Sequence, residues 1–200
     1  MVVAEEAHEK GRQGVTEVKR WLEATMRFEV RYTIYDQVAR VMLPLLGGGS
    51  KRYDMVAQHF NDDKERTASG FDVYIEVKNV GALSTAMKQD TQFIEFVATA
   101  YSAREAGFDA LGRDPGYEFM FATKHPWDVK NYLKFATAEF VAECCASHEA
   151  LVPNDRLDES RAAELADRLW VWIVPKRQDD MTMGRAHLGF VWQALKGGTP

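Results

Sequence analysis

Cysteine is scarce in this 200-residue chain: there are two, and they are neighbours, Cys144 and Cys145. Adjacent cysteines supply neither a disulfide framework nor the spaced pairs of a zinc site. Within Phe140-Val141-Ala142-Glu143-Cys144-Cys145-Ala146 they read as small hydrophobes on a helix in a reducing compartment. No run approaches the roughly 18 apolar residues that a membrane span needs. The opening residues Met1-Val2-Val3-Ala4-Glu5-Glu6 lack the apolar core of a signal peptide. Together these absences make the cytoplasm the expected location. There is no Gly-rich phosphate loop of the Walker type and no Gly-x-Ser-x-Gly elbow, which removes two common catalytic frameworks. His8, His59, His148 and His187 show no ligand spacing. Positive charge is also short. The formal net charge is −5, which excludes a protein that coats nucleic acid through bulk charge. It does not exclude an enzyme that holds a metal with carboxylates and phosphate with a local basic stripe.

What is present belongs to an ordinary globular chain. The 46% hydrophobic content is enough for one sizeable core, and the length is short for two. We expect one domain over residues 1–200, with a core at about 11–123 and a completing segment at about 124–197. Apolar spacing predicts a helix over residues 5–26, where Val15, Val18, Trp21, Leu22 and Met26 share a stripe. A strand follows over 28–34. Residues 35–46 fit a helix through Val38, Val41, Met42 and Leu45, although Pro44 argues for an early end. Gly47-Gly48-Gly49-Ser50 is a break. Strands are predicted over 53–60 and 71–80, separated by a polar loop at 61–70. A helix capped by Ser84 or Thr85 runs to about Ala103. A loop at 107–116, a strand at 117–123, a helix from Pro126 to about His148, a short helix at 159–169, a strand at 170–175 and a helix at 184–195 complete the chain. This order predicts an α/β fold with a single mixed central sheet flanked by helices.

The chemistry concentrates in Phe71-Asp72-Val73-Tyr74-Ile75-Glu76-Val77-Lys78, where alternation is strict. Phe71, Val73, Ile75 and Val77 share one face; Asp72, Tyr74, Glu76 and Lys78 share the other. A solvated sheet face is one account of the polar row. Helices over both faces would instead make it the lining of a cleft. If the upstream strand that carries Asp54 lies alongside, Asp54 and Glu76 converge. Two converging carboxylates repel unless a cation lies between them. Mg²⁺ suits, since it takes carboxylate and water oxygens and leaves positions for substrate phosphate. A lysine alongside can hold the attacking water and offset transition-state charge.

Gly14-Val15-Thr16-Glu17, Gly48-Gly49-Ser50-Lys51-Arg52-Tyr53-Asp54 and Ile75-Glu76-Val77-Lys78 together resemble the PD-(D/E)XK nuclease superfamily, its restriction endonuclease-like and Holliday junction resolvase-like members in particular. Tyr53 stands where the motif has its proline. The likeness covers roughly residues 11–101. It implies a restriction endonuclease-like fold, Mg²⁺ (with Mn²⁺ as a substitute) on Asp54, Glu76 and the Val77 carbonyl, Lys78 acting on the water, and Glu17 completing the site. The chain has four acid-x-lysine matches, at Glu17-Val18-Lys19, Asp62-Asp63-Lys64, Glu76-Val77-Lys78 and Asp128-Val129-Lys130. The third alone ends a buried-type strand with an Asp-bearing strand upstream.

Lys51, Arg52 and Lys124 are candidate phosphate contacts. Lys130 and Lys134 are a further basic pair, and His125 before Pro126 reads as a strand terminator. Trp170 and Trp172 lie in a strand apolar on both sides, the pattern of core or of a subunit interface. The resemblance implies a Mg²⁺-dependent endonuclease acting on DNA, with RNA also open, as an effector in defence or repair. Fold analogy adds a homodimer or a partner subunit that supplies specificity, and no membrane partner. The alternative is an inactive nuclease-fold subunit that binds nucleic acid or a protein. A third reading leaves the polar row simply solvated in a structural protein.

Overall fold

Strand-forming residues in period two and helical stripes in period 3.6 sort into a sheet covered on both sides. The structure is a computed structural model that describes residues 2–60, 68–79, 86–124 and 137–174. Helix α1 spans Val2–Ala24 and ends where Met26 adopts a left-handed backbone, φ 57°. Strands β1 (Phe28–Thr33), β4 (Met55–Phe60), β5 (Ala68–Asn79), β6 (Tyr117–Lys124) and β7 (Leu169–Val174) form one sheet in the order β1-β4-β5-β6-β7. The pairs β1–β4 and β4–β5 are antiparallel; β5–β6 and β6–β7 are parallel. The mixed α/β sheet expected from the sequence is therefore present.

Alternation assigns each residue to a face. Val15, Val18 and Leu22 of α1 pack with Val73, Ile75, Met55, Ala57 and Met120 on one side. On the other, α2 (Ala86–Leu111), α3 (Ala138–Ala146) and α4 (Glu159–Ala166) cover Tyr74, Val56, Phe119 and Phe121. The register of β1 shifts between Val30 and Tyr32, so that Val30 packs towards α1 while Tyr32 packs with the other layer. Such a bulge re-aims one side chain without ending the strand.

The helix expected at residues 35–46 does not form. A short 3-10 turn, Val38–Val41, gives way to β2 (Met42–Pro44), which pairs with β3 (Ser50–Arg52) as a separate hairpin. Pro44 cannot donate to a helix, and Gly48 and Gly49 supply the left-handed turn at φ 87° and 75°. The hairpin packs tightly on the far helical layer. A β-carbon on Gly47 would stand 2.3 Å from the Ala150 carbonyl oxygen. Helix α2 runs on past the predicted loop start at Gly107, to Leu111. Gly107 acts as a close-packing residue there, since a β-carbon would lie 3.0 Å from Pro115 and Tyr117. Within the span predicted as a helix from Pro126 to about His148, the described residues hold the helix Ala138–Ala146, which extended Thr137 caps by accepting from the Phe140 N–H at 3.2 Å. The Ser84 or Thr85 cap, the start of that helix before residue 137 and the helix at 184–195 lie outside the described residues. Among the described residues no helix is long and apolar enough to cross a membrane.

Candidate active site

Asp54 occupies the break between β3 and β4, where its backbone is clamped from both sides. Its N–H donates to the Ile75 carbonyl at 2.9 Å, and its carbonyl accepts from the Ile34 N–H at 2.8 Å. Met55 pairs with Ile75, so extending the antiparallel register by one residue sets Asp54 opposite Glu76. Directly opposed residues point to the same face of a sheet. This is the convergence that alternation in the sequence suggested.

Four charged side chains meet there. Asp54 Oδ2 accepts a 2.7 Å hydrogen bond from the Val77 N–H. Glu76 is buried, 8% exposed, and is held by two ammonium groups. Lys78 Nζ donates to Oε1 at 2.6 Å, and Lys51 Nζ lies 3.2 Å from Oε2. Both lysines keep part of their side chains in solvent, so a substrate could reach them. Under the cluster lies Tyr53, fully buried, with the Lys51 ammonium 5.9 Å from its ring. Among the described residues the Tyr53 hydroxyl has no hydrogen-bond partner. Burial, then the charge of Glu76, pushes its phenol well above the ordinary value.

The electrostatics of the two acids are unequal. Burial and then Glu76 push the Asp54 carboxyl up to about 6, against the Val77 N–H, Lys78 and Lys51, which pull it down. Among the described residues no ammonium makes an ion pair with Asp54, whereas Glu76 has two. Asp54 is thus the carboxylate with unmet demand for positive charge.

The structure brings together Asp54, Glu76, Val77, Lys78 and Lys51. Two of these act differently from expectation. Val77 meets Asp54 through its N–H rather than offering only a carbonyl, and Lys51 pairs with Glu76 instead of standing apart at a cleft mouth. The signal for Lys51 was the triple glycine, which folds β3 back beside β2 and delivers the lysine to the site. Arg52, its neighbour, is exposed on β3. Glu17 stands on α1, the helix that packs against the opposite face, and accepts from Gln13 Nε2 at 3.0 Å. Lys124 ends β6, paired through its backbone with Asn79 and Val174; its side chain, with His125, Lys130 and Lys134, lies outside the described residues. Asp72 shares the face of Glu76 but sits beside Tyr117 and Tyr74, four residues back along the strand.

A second polar group, unassigned from sequence, lies on the α1 face. His59 stacks on Phe28 with ring centroids 5.0 Å apart, and its Nδ1 is 3.9 Å from Glu118 Oε2. Trp170 Nε1 donates to the same oxygen at 2.7 Å. Trp170 is half-buried against the α1-side core with its indole N–H satisfied.

Two carboxylates that interact, Asp54 and Glu76, are hard oxygen donors of the kind that Mg²⁺ takes from protein when phosphate and water complete its shell. The donor set fits that ion. Among the described residues no group of three or more His, Cys, Asp or Glu side chains comes together, which is short of a cage built from protein alone. No protein-family model and no curated protein matches the chain.

Proposed function

We propose that the chain is a Mg²⁺-dependent endonuclease of the PD-(D/E)XK type that hydrolyses phosphodiester bonds in DNA. The observation that carries the reading is that Asp54, one residue before β4, meets Glu76 and Lys78 of β5: its N–H donates to the Ile75 carbonyl, its carboxylate accepts from the Val77 N–H, and the charges of Glu76 and Lys78 both act on it. Asp54 and Glu76 would hold the ion. Bound there, Mg²⁺ supplies Lewis acidity that offsets charge on the phosphate and favours ionisation of a coordinated water. The residues of the chain do the rest. The Val77 N–H fixes Oδ2 of Asp54, and the other oxygen would be available to hold the ion. Lys78, once Glu76 is engaged elsewhere, donates hydrogen bonds to the attacking water and to charge that develops on the phosphate. Water oxygen forms the new bond to phosphorus as the bond to the leaving sugar oxygen breaks. Lys51 supplies a second ammonium on the same side, suited to a non-bridging oxygen.

One observation favours a second reading. Both oxygens of Glu76 already have lysine partners, so the cluster is neutral without a metal. A nuclease fold used only for binding, within a homodimer or beside a partner subunit, would look the same. Incubation with supercoiled plasmid, single-stranded DNA and RNA separates the two, in Mg²⁺, Mn²⁺ or EDTA. Metal-dependent cutting that is lost in both Asp54→Ala and Lys78→Ala supports the enzyme. Retention of nucleic acid with no cutting in any metal supports the binding subunit.

A further inference from the structure

Of four large hydrophobic side chains exposed among the described residues, three fall in one stretch between β1 and β2: Tyr35 at 36%, Val38 at 43% and Met42 at 40%. Clustered exposure of this kind marks a binding surface, whereas scattered single residues do not. The stretch is fastened to the carboxylate site at two points. The Ile34 N–H donates to the Asp54 carbonyl, and the Tyr53 N–H donates to the Val41 carbonyl, each at 2.8 Å. Arginines interleave with it. The Arg12 guanidinium of α1 lies 5.1 Å from the Tyr35 ring centroid, and that of Arg40 lies 5.8 Å from the Tyr32 ring. Arg52, exposed, stands across the hairpin from Met42. Three carboxylates are also near: Asp54 and Glu9, which act on Tyr35, and Asp36, which is engaged by the Thr33 hydroxyl at 2.6 Å.

We infer that this aromatic and arginine strip is a docking surface for single-stranded nucleic acid, which it leads into the carboxylate site. The inference rests on the nuclease reading of that site. An unpaired strand offers two things at once, flat base faces and phosphates. Ring and guanidinium surfaces stack bases without regard to sequence, and arginines hold the backbone. A duplex keeps its base faces inside the stack, so it would engage the arginines and leave Tyr35, Val38 and Met42 unused. In a chain of net charge −5, a strip with three arginines complements a polyanion.

The test is fluorescence anisotropy in EDTA, where no cutting occurs, with a labelled oligothymidylate and with the same strand annealed to its complement. We expect the single strand to bind more tightly than the duplex, and more weakly as salt rises. Tyr35→Ala should weaken it by about tenfold, the effect of losing one stacked base, while Tyr35→Phe keeps it. Arg40→Ala with Arg52→Ala should lower the salt dependence. Leu111→Ala, at the exposed hydrophobe outside the strip, should bind as the wild type does. Equal binding of both DNAs, or full binding by Tyr35→Ala, overturns the inference. So does a concentration-dependent dimer that Tyr35→Ala dissociates while the oligonucleotide fails to bind. Tyr35-dependent binding with no cutting in Mg²⁺ upholds the docking surface and refutes the nuclease reading alone.

Discussion

Replacing Asp54 by asparagine should make the metal-free protein more stable while removing its metal response. In the folded chain this carboxyl titrates at about 6, against 3.8 for the unperturbed side chain, because burial and Glu76 oppose its charge. A carboxyl raised in this way binds its proton more tightly in the folded state than in the unfolded one. The folded protein therefore carries no penalty from Asp54 below about pH 4, acquires it as pH rises, and bears it in full above about pH 6. A shift of roughly two units corresponds to about 3 kcal/mol at most. Asparagine stays neutral at every pH, and its carbonyl can still accept from the Val77 N–H. Thermal or urea melts in EDTA at neutral pH should show Asp54→Asn about 1–3 kcal/mol above the wild type, with the two converging near pH 4. The same variant should gain nothing from Mg²⁺. A variant less stable than wild type at neutral pH in EDTA would refute the reasoning, since it would mean that the charge on Asp54 is favourably compensated without a metal.

Other outcomes follow from the same structure. Mg²⁺ at ten times its dissociation constant should stabilise the wild type by about 1.4 kcal/mol, a rise in Tm of about 3–6 °C, and Glu76→Gln should abolish it; a differential scanning fluorimetry titration reads both. Arg161→Ala removes the 2.8 Å partner of Glu105, a carboxylate 7% exposed, and lifts a guanidinium from the Phe108 ring 4.0 Å away. It should cost about 3 kcal/mol at neutral pH in urea unfolding. Burial already raises the Glu105 carboxyl, so the loss should shrink as pH falls and Glu105 takes a proton. Gly47→Ala forces a β-carbon against the Ala150 carbonyl and should cost about 1–3 kcal/mol in the same assay; an unchanged midpoint would mean that the hairpin is free to move away.

Much of the fold was legible because it rests on periodicity. Phe71, Val73, Ile75 and Val77 alternate against a polar row, and the chain has no competing way to bury them, so β5 appears as read. Lengths and boundaries failed where tertiary contact overrode a local signal. Gly107 looks like a helix terminator, yet α2 continues through it, and Pro115 and Tyr117 press so close that a β-carbon there would have to displace them. The stretch 35–46 has helical spacing over too few residues to nucleate a helix. Three glycines and Pro44 let it pair with β3 instead, burying Val41 and Leu43 in the larger core.

The site was legible to the same extent and for the same reason. Asp54 and Glu76 could be placed on one face from alternation alone, because strand pairing needs no side-chain detail. The distribution of charge could not. Two acids and two lysines sum to zero, and a sequence leaves every partition of them open. In the structure both ammonium groups pair directly with Glu76, while Asp54 takes a backbone N–H and feels the two lysines only at longer range. A structural ion-pair cluster would gain by sharing its cations between the two acids, since an uncompensated carboxylate beside another is costly. The asymmetry instead leaves one oxygen-rich position where a proton or a cation lowers the energy. Above about pH 6 the proton is gone, and a hard divalent ion is the ligand whose charge and donor preference match what remains.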